Sequence, residues 1–157
     1  MSKKLKITTK NNTALITINN PPANTWDLES LGHLRETIDK LNKNKDIYSL
    51  VITGEGGKFF SAGADLKVFH EGGKTAAVDM SDAFARAFQA LSNFRGFSIA
   101  AINGYAMGGG LECALACDIR IAEEQAQLAL PEPKVGLLPC GGGTHQLPRL
   151  VAEGWAK

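Results

Sequence analysis

Three cysteines in 157 residues, at 113, 117 and 140, are too few and too loosely placed for a disulfide framework. No CxxC pair and no grouping of His33, His70 and His145 offers a metal site, and none is expected. The three histidines read as structural or surface residues. Charge of one sign is missing too: a net charge of +1 gives no reason to expect a nucleic acid or a membrane surface as partner. No stretch approaches the roughly 18–20 apolar residues of a membrane span. The early lysines (Lys3, Lys4, Lys6) are not followed by the apolar run of a signal peptide, because Lys10, Asn11 and Asn12 interrupt it. A cytoplasmic location is the expectation. A Gly-x-Ser-x-Gly elbow is absent, which leaves a serine hydrolase unsupported. There is no internal repeat and no low-complexity segment.

What is present is an ordinary globular composition, 44% hydrophobic and 21% charged, in a chain long enough for one domain with a sizeable core. Residues 5–9 and 14–18 read as two strands joined by a turn at Asn11-Asn12. Leu28, Leu31, Leu34, Ile38 and Leu41 recur at helical spacing and predict a helix over 27–43. Residues 48–53 and 98–102 are short apolar strands, and 119–122 and 128–130 are shorter ones. Gly72-Gly73 reads as a flexible loop, after which Ser81 caps a second helix carrying Phe84, Phe88 and Leu91. A helix over 109–116 follows a glycine run, and a last one begins after Gly141-Gly142-Gly143 and is still running near Trp155. Strands alternate with helices, so the fold class is α/β. No helix-stop signal follows at Lys157, so the expectation is a longer parent protein.

Two glycine-rich segments invite chemistry. In Ser61-Ala62-Gly63-Ala64-Asp65-Leu66, small side chains let a ligand approach main-chain N–H groups, although a plain tight turn has the same composition. In Asn103-Gly104-Tyr105-Ala106-Met107-Gly108-Gly109-Gly110-Leu111-Glu112, a buried strand runs through three glycines into a helix. Its free N–H groups suit an oxygen that gains negative charge. The glycines do not read G-x-G-x-x-G, and no Gly-Lys-Ser/Thr follows them, so a dinucleotide fingerprint and a P-loop are both disfavoured. Close helix–strand packing is the alternative use of such glycines.

Glu112 sits in the first turn of that helix, where an exposed glutamate would simply complement the helix dipole. Its neighbours Leu111, Cys113, Ala114, Leu115, Ala116 and Cys117 make the helix apolar all round and hence buried. A buried glutamate is costly unless paired or functional. Glu132 lies between Pro131 and Pro133, which restrict its backbone; a solvated loop glutamate is the alternative. Two carboxylates converging on one space would differ in pKa, so one could give a proton while the other takes one. Spacing alone does not bring them together. Cys113 and Cys117, four apart on one helix face, read as small hydrophobic packing.

Four runs together resemble the enoyl-CoA hydratase/isomerase (crotonase) family: 54–66, 102–112, 117–122 and 131–150, the last containing Pro131-Glu132-Pro133 and Leu147-Pro148-Arg149-Leu150. The resemblance covers nearly the whole chain. It implies a spiral of β-β-α units forming one acyl-CoA-binding catalytic domain over 1–157. It implies an oxyanion hole made by the backbone N–H groups of Ala64 and Gly109. Glu112 would activate the water that attacks C3, and Glu132 would deliver the proton to C2 of a 2-enoyl thioester. Backbone around Ala62 and Leu66 would meet the adenine of coenzyme A, and Lys67 would reach a phosphate. No cofactor is implied beyond the coenzyme A that the substrate carries. Members that isomerise a double bond commonly keep one of the two glutamates, so retention of both favours hydration; isomerisation and non-catalytic acyl-CoA binding are the alternatives. The sequence departs from the family at His145-Gln146, where Gln-Arg is usual. It also lacks the following helical region that covers the acyl pocket and builds a trimer or hexamer, so the expectation is a chain truncated at its C-terminus whose parent is a homotrimer or hexamer.

Overall fold

The computed structural model describes residues 4–157, apart from the side chains of Phe69 and His70. Lys3 and the His70 side chain, both considered above, lie outside the described residues. The chain opens with an antiparallel hairpin, β1 (Leu5–Lys10) and β2 (Thr13–Ile18), turning at Asn11, whose φ of 52° is one that asparagine tolerates well. Ala14, Ile16 and Ile18 alternate inward along β2 and are fully buried. Helix α1 (Leu28–Lys43) starts where Asp27 accepts the Ser30 N–H at 2.8 Å, and Ser30 returns a bond to the Asp27 N–H at 2.9 Å. Its apolar stripe, Leu31, Leu34, Ile38 and Leu41, faces the core.

The remainder repeats one pattern. β3 (Ser49–Gly54) leads to β4 (Phe59–Ser61) and then α2 (Leu66–Ser92). β5 (Phe97–Ile102) leads to β6 (Tyr105–Met107) and then α3 (Gly109–Leu115). β7 (Ile119–Ala122) leads to β8 (Leu128–Ala129), a 3-10 turn (Glu132–Val135) and α4 (Gly143–Val151). The first strand of each unit joins a five-stranded sheet ordered β1-β2-β3-β5-β7, and the second joins a three-stranded parallel sheet ordered β4-β6-β8. The α/β spiral of β-β-α units expected from the sequence is therefore the observed architecture. Among the described residues, no helix is long and apolar enough to cross a membrane.

Two helix boundaries differ from expectation. α2 begins at Leu66, where the Asp65 side chain accepts the Lys67 N–H at 3.1 Å, so Ser81 lies mid-helix and is no cap. The break expected at Gly72-Gly73 is present: Gly73 is non-helical (φ 61°, ψ −152°), and α2 comprises a helical segment on either side of this kink. The last helix stops at Val151, because Ala152 adopts φ 64° and ψ 158°, and a separate turn, α5 (Glu153–Ala156), follows.

Side chains stitch the spiral's turns together. Asn103, at the end of β5, donates to the Gly54 and Gly56 carbonyls at 2.9 and 2.6 Å and accepts the Gly54 N–H at 3.1 Å. Gly104 beside it passes so close to the Lys58 carbonyl that a Cβ would sit 2.3 Å from that oxygen. Asp118 accepts both the N–H and the hydroxyl of Ser98, at 2.8 and 2.7 Å. Arg120 caps the end of α3 by donating to the Cys117 carbonyl at 2.6 Å. The motif residues 103–104 and 117–122 thus hold the scaffold. Asn103→Ala strips three partners from the β3–β4 turn and should lower unfolding free energy by about 1–3 kcal/mol. The measurement is a urea titration: a lower midpoint at unchanged slope is expected, and an unchanged midpoint would show these bonds to be dispensable.

Candidate active site

The segment 62–65 hangs on the residues before α1. Trp26 donates its N–H to the Gly63 carbonyl at 2.8 Å and accepts the Asp65 N–H at 2.8 Å; the Ala62 N–H donates to the Ala23 carbonyl at 3.0 Å. Bonding alternates along an extended segment, so these contacts leave the Ala64 N–H on the opposite side. Gly63 (φ +88°) crosses the start of α3 closely: a Cβ on it would lie 2.6 Å from the Met107 carbonyl and 3.1 Å from the Gly109 nitrogen. The Gly109 N–H opens α3 and has no intrahelical acceptor. The segment carrying Ala64 thus passes close to the start of α3, and neither the Ala64 nor the Gly109 N–H has a backbone acceptor among the described residues.

The other glycines have separate reasons. A Cβ on Gly110 would strike the Ser61 carbonyl at 2.2 Å, and one on Gly109 would strike the Phe84 ring at 2.5 Å. A Cβ on Gly108 would lie 2.8 Å from Glu132 Oε1, so the missing side chain is the room in which that carboxylate sits.

α3 is buried along its whole length, as its apolar sequence requires, and Glu112 is buried with it at 2% exposure. Glu112 Oε1 accepts the Gly141 and Gly143 N–H groups, each at 2.8 Å. Burial raises its pKa most; the Gly143 bond opposes this, the charge of Glu132 adds to the rise, and the Gly141 bond opposes it again, leaving it at about 7. Glu132 opens the 3-10 turn, is half-buried, and has its Oε2 buried without a hydrogen-bond partner. Burial raises its pKa also.

Both carboxylates border one cavity of about 550 Å³, together with Ala62, Gly63, Ala64, Leu66, Gly108 and Gly109. The rest of its wall is mostly apolar and comes from Ala77 and Phe84 of α2 and from Val135, Leu137 and Leu138. The structure thus brings together seven positions of the two glycine-rich segments, Glu112 among them, with Glu132 as the eighth. Lys67 does not line the cavity; it is exposed on the first turn of α2, one residue past Leu66.

Residues 8–157 match the enoyl-CoA hydratase/isomerase family. The chain belongs to that family. It is 43% identical to the Bacillus subtilis protein YngF over its whole length, spanning 61% of that relative. It is 37% identical to a crotonyl-CoA hydratase of Syntrophomonas wolfei over 92% of this chain and 56% of the relative. Among solved structures, Pseudomonas aeruginosa DspI superposes with a TM-score of 0.97 at 67% identity, over 99% of this chain and 64% of DspI. An enoyl-CoA hydratase of Bacillus anthracis superposes with a TM-score of 0.95 at 34% identity, over 99% of this chain and 61% of that one. The chain therefore spans about three fifths of each of these four relatives.

Some parts of this family site were not singled out from the sequence. Ser81, Phe84 and Cys140 line the cavity, and Gly141 and Gly143 hold Glu112. The triglycine at 141–143 reads locally as a helix start, which it also is; nothing in its sequence points to a carboxylate 29 and 31 residues earlier. Cys113 and Cys117 are buried, and burial pushes both thiols up, Cys117 to about 12, in keeping with inert packing. Among the described residues, no group of histidine, cysteine and carboxylate side chains is arranged to hold a metal ion.

The Glu112 shift carries a stability prediction. An unfolded glutamate loses its proton near 4.5, whereas the folded one holds it to about 7. Between these values the unfolded chain binds fewer protons, so stability falls as pH rises, by about 3 kcal/mol in all. Glu112→Gln keeps an acceptor for the two N–H groups and removes the charge. It should track the wild type near about pH 5 and be the more stable protein at about pH 8. Denaturant midpoints at the two values check this, and parallel pH profiles for the two proteins would show that burial of Glu112 is not resisted by its charge.

Proposed function

We propose that this chain carries the hydration centre of a 2-enoyl-CoA hydratase, adding water across the C2–C3 double bond to give a 3-hydroxyacyl-CoA. The observation that supports this reading is the convergence of Glu112 and Glu132 on a cavity bordered by the Ala64 and Gly109 N–H groups. A thioester oxygen seated on those N–H groups is stabilised as it gains enolate charge. Glu112 takes a proton from water as the oxygen bonds to C3, and Glu132 delivers a proton to C2, so one water is consumed and the pair's total proton count is restored by transfer between them. The coenzyme A moiety leaves the cavity past Ala62 and Leu66, with Lys67 as a phosphate contact on the outer surface. No further cofactor takes part, and the assembled protein is a trimer or hexamer.

The roles require the proton on Glu132 when water attacks. In the free pocket burial raises both carboxyls, and Glu112 is the more deeply buried. A thioester lying over Glu132 removes the solvent left to that carboxyl, whose Oε2 has no partner, and so raises it further. Glu112 keeps its two N–H donors throughout. Substrate binding thereby moves the proton toward Glu132.

The test follows the enoyl thioester absorbance with a short 2-enoyl-CoA. Glu112→Gln and Glu132→Gln should each slow its loss by at least about a hundredfold while binding of a saturated acyl-CoA persists. Double-bond migration without hydration, surviving one of the two substitutions, would identify an isomerase. Binding without turnover in the wild type would identify an acyl-CoA-binding unit, and no binding would overturn the reading.

A further inference from the structure

Three segments distant in sequence carry the site: 62–65, the start of α3, and the glycine loop 141–143. Each rests on one member of a buried aromatic cluster. Trp26 holds the first through its backbone, pairing with Ala64 as an isolated parallel bridge. The Phe84 ring backs the second: a Cβ on Gly109 would lie 2.5 Å from its Cε1 atom. The Phe88 ring backs the third: a Cβ on Gly141 would lie 2.6 Å from its Cδ2 atom. The rings also meet one another. Phe84 and Phe88, one turn apart on α2, have centroids 5.4 Å apart at 65°, and Trp26 meets Phe88 edge-on at 6.0 Å and 76°. All three residues are buried. A glycine backbone turns freely by itself, but one pressed on a packed ring has no room to retreat.

We propose that Phe84 and Phe88 are positioning residues: side by side on α2, they hold the start of α3 and the glycine loop in register. The Gly109 N–H and the Gly141 N–H that binds Glu112 thereby keep one fixed spacing. Trp26 braces Phe88. The use of that spacing rests on the proposed hydration chemistry, in which the thioester oxygen and the base must be set apart correctly. The geometry itself can be tested without turnover. The titratable groups acting on Glu112 are Glu132 from the 3-10 turn and Cys140 from the loop, with Cys113 beside it on α3. In the half of α2 that carries the rings, Lys74, Asp79, Asp82 and Arg86 are all exposed, as are His145 and Arg149 of α4. Tyr105 of β6 packs its ring on Phe59. Removing the Phe88 ring therefore acts on Glu112 through its N–H donors.

The experiment is a carbon-detected NMR titration of the Glu112 carboxyl in the full chain, its resonance assigned by its disappearance in Glu112→Gln. Phe88→Leu should raise the midpoint on the order of one pH unit, because weaker N–H bonds favour the protonated form. Phe88→Met, which refills the volume with a flexible chain, should shift it the same way by less, and decides the matter if the leucine variant does not fold. Phe84→Leu opens the cavity wall and leaves the loop backed, so it should not raise the midpoint. Phe94→Leu removes a buried ring that packs by Gly96, controls for general loosening, and should leave the midpoint unchanged. The Phe84 contact is read with an aromatic 2-enoyl-CoA whose absorption moves to longer wavelength when N–H groups polarise its carbonyl. Phe84→Leu should reduce that shift, and Phe94→Leu should not. An unmoved midpoint in the Phe88 variants, or an equal rise in Phe84→Leu or Phe94→Leu, would overturn the proposal. If the wild type does not bind the thioester, the functional reading fails, while the titration still decides this one.

Discussion

The burial of the Glu112 carboxylate is the constraint on which the rest of the site depends. A carboxylate at 2% exposure inside an apolar helix is held in place by two peptide N–H groups on one oxygen. Those groups come from a loop 29 and 31 residues later, so the third turn of the spiral must close back onto the second before the charge is tolerable. The loop can reach it only because 141 and 143 are glycines: a side chain at either would collide with Glu112 itself and with Phe88 or Leu130. Fold and site are thus joined by one contact. Glu112 nevertheless borders the cavity, together with Glu132.

The same economy of space governs the opposite wall. Gly63 crosses Gly109 with no room for a Cβ, Gly110 rides on the Ser61 carbonyl, and Gly108 leaves the volume occupied by Glu132. Each glycine answers a different neighbour, so the triglycine is no generic flexible hinge. A methyl group at 63 would push its segment away from the start of α3, while one at 108 would displace a carboxylate. The three-stranded sheet β4-β6-β8 carries all of these segments, which is why the short strands, and not the larger sheet, fix the geometry of the cavity.

Much of this was readable from residues alone, and the reasons are physical. The inward alternation of β2, the stripe on α1 and the apolar girth of α3 are local signals that survive folding, and they placed Glu112 inside. The motif runs gave the family and the spiral. What escaped was set by contacts distant in sequence or by competition between weak local signals. Gly72-Gly73 does interrupt the helical run, but a helical segment capped by Asp65 precedes it. Ser81 looks like a cap and is a mid-helix residue facing the cavity, because the helical run resumes just after Gly73. The partners of Glu112 carry no chemistry in their side chains, so composition could not reveal them. Lys67, named from resemblance, lies outside the cavity wall and speaks only to what is bound beyond it.

The two glutamates are unlike in a way that bears on how one proton serves both. Glu112 has donors but almost no solvent; Glu132 has some solvent but an oxygen with no donor. Each is raised chiefly by burial, and the charge of Glu132 raises Glu112 further, so ionisation belongs to the pair. The balance is tipped by whatever changes one environment and not the other. A ligand above Glu132 does this, since it removes water from the one carboxyl that still has it. The donors on Glu112 are peptide groups fixed by the spiral and do not move with the ligand. The asymmetry of the pair lies in which carboxylate the backbone has already satisfied.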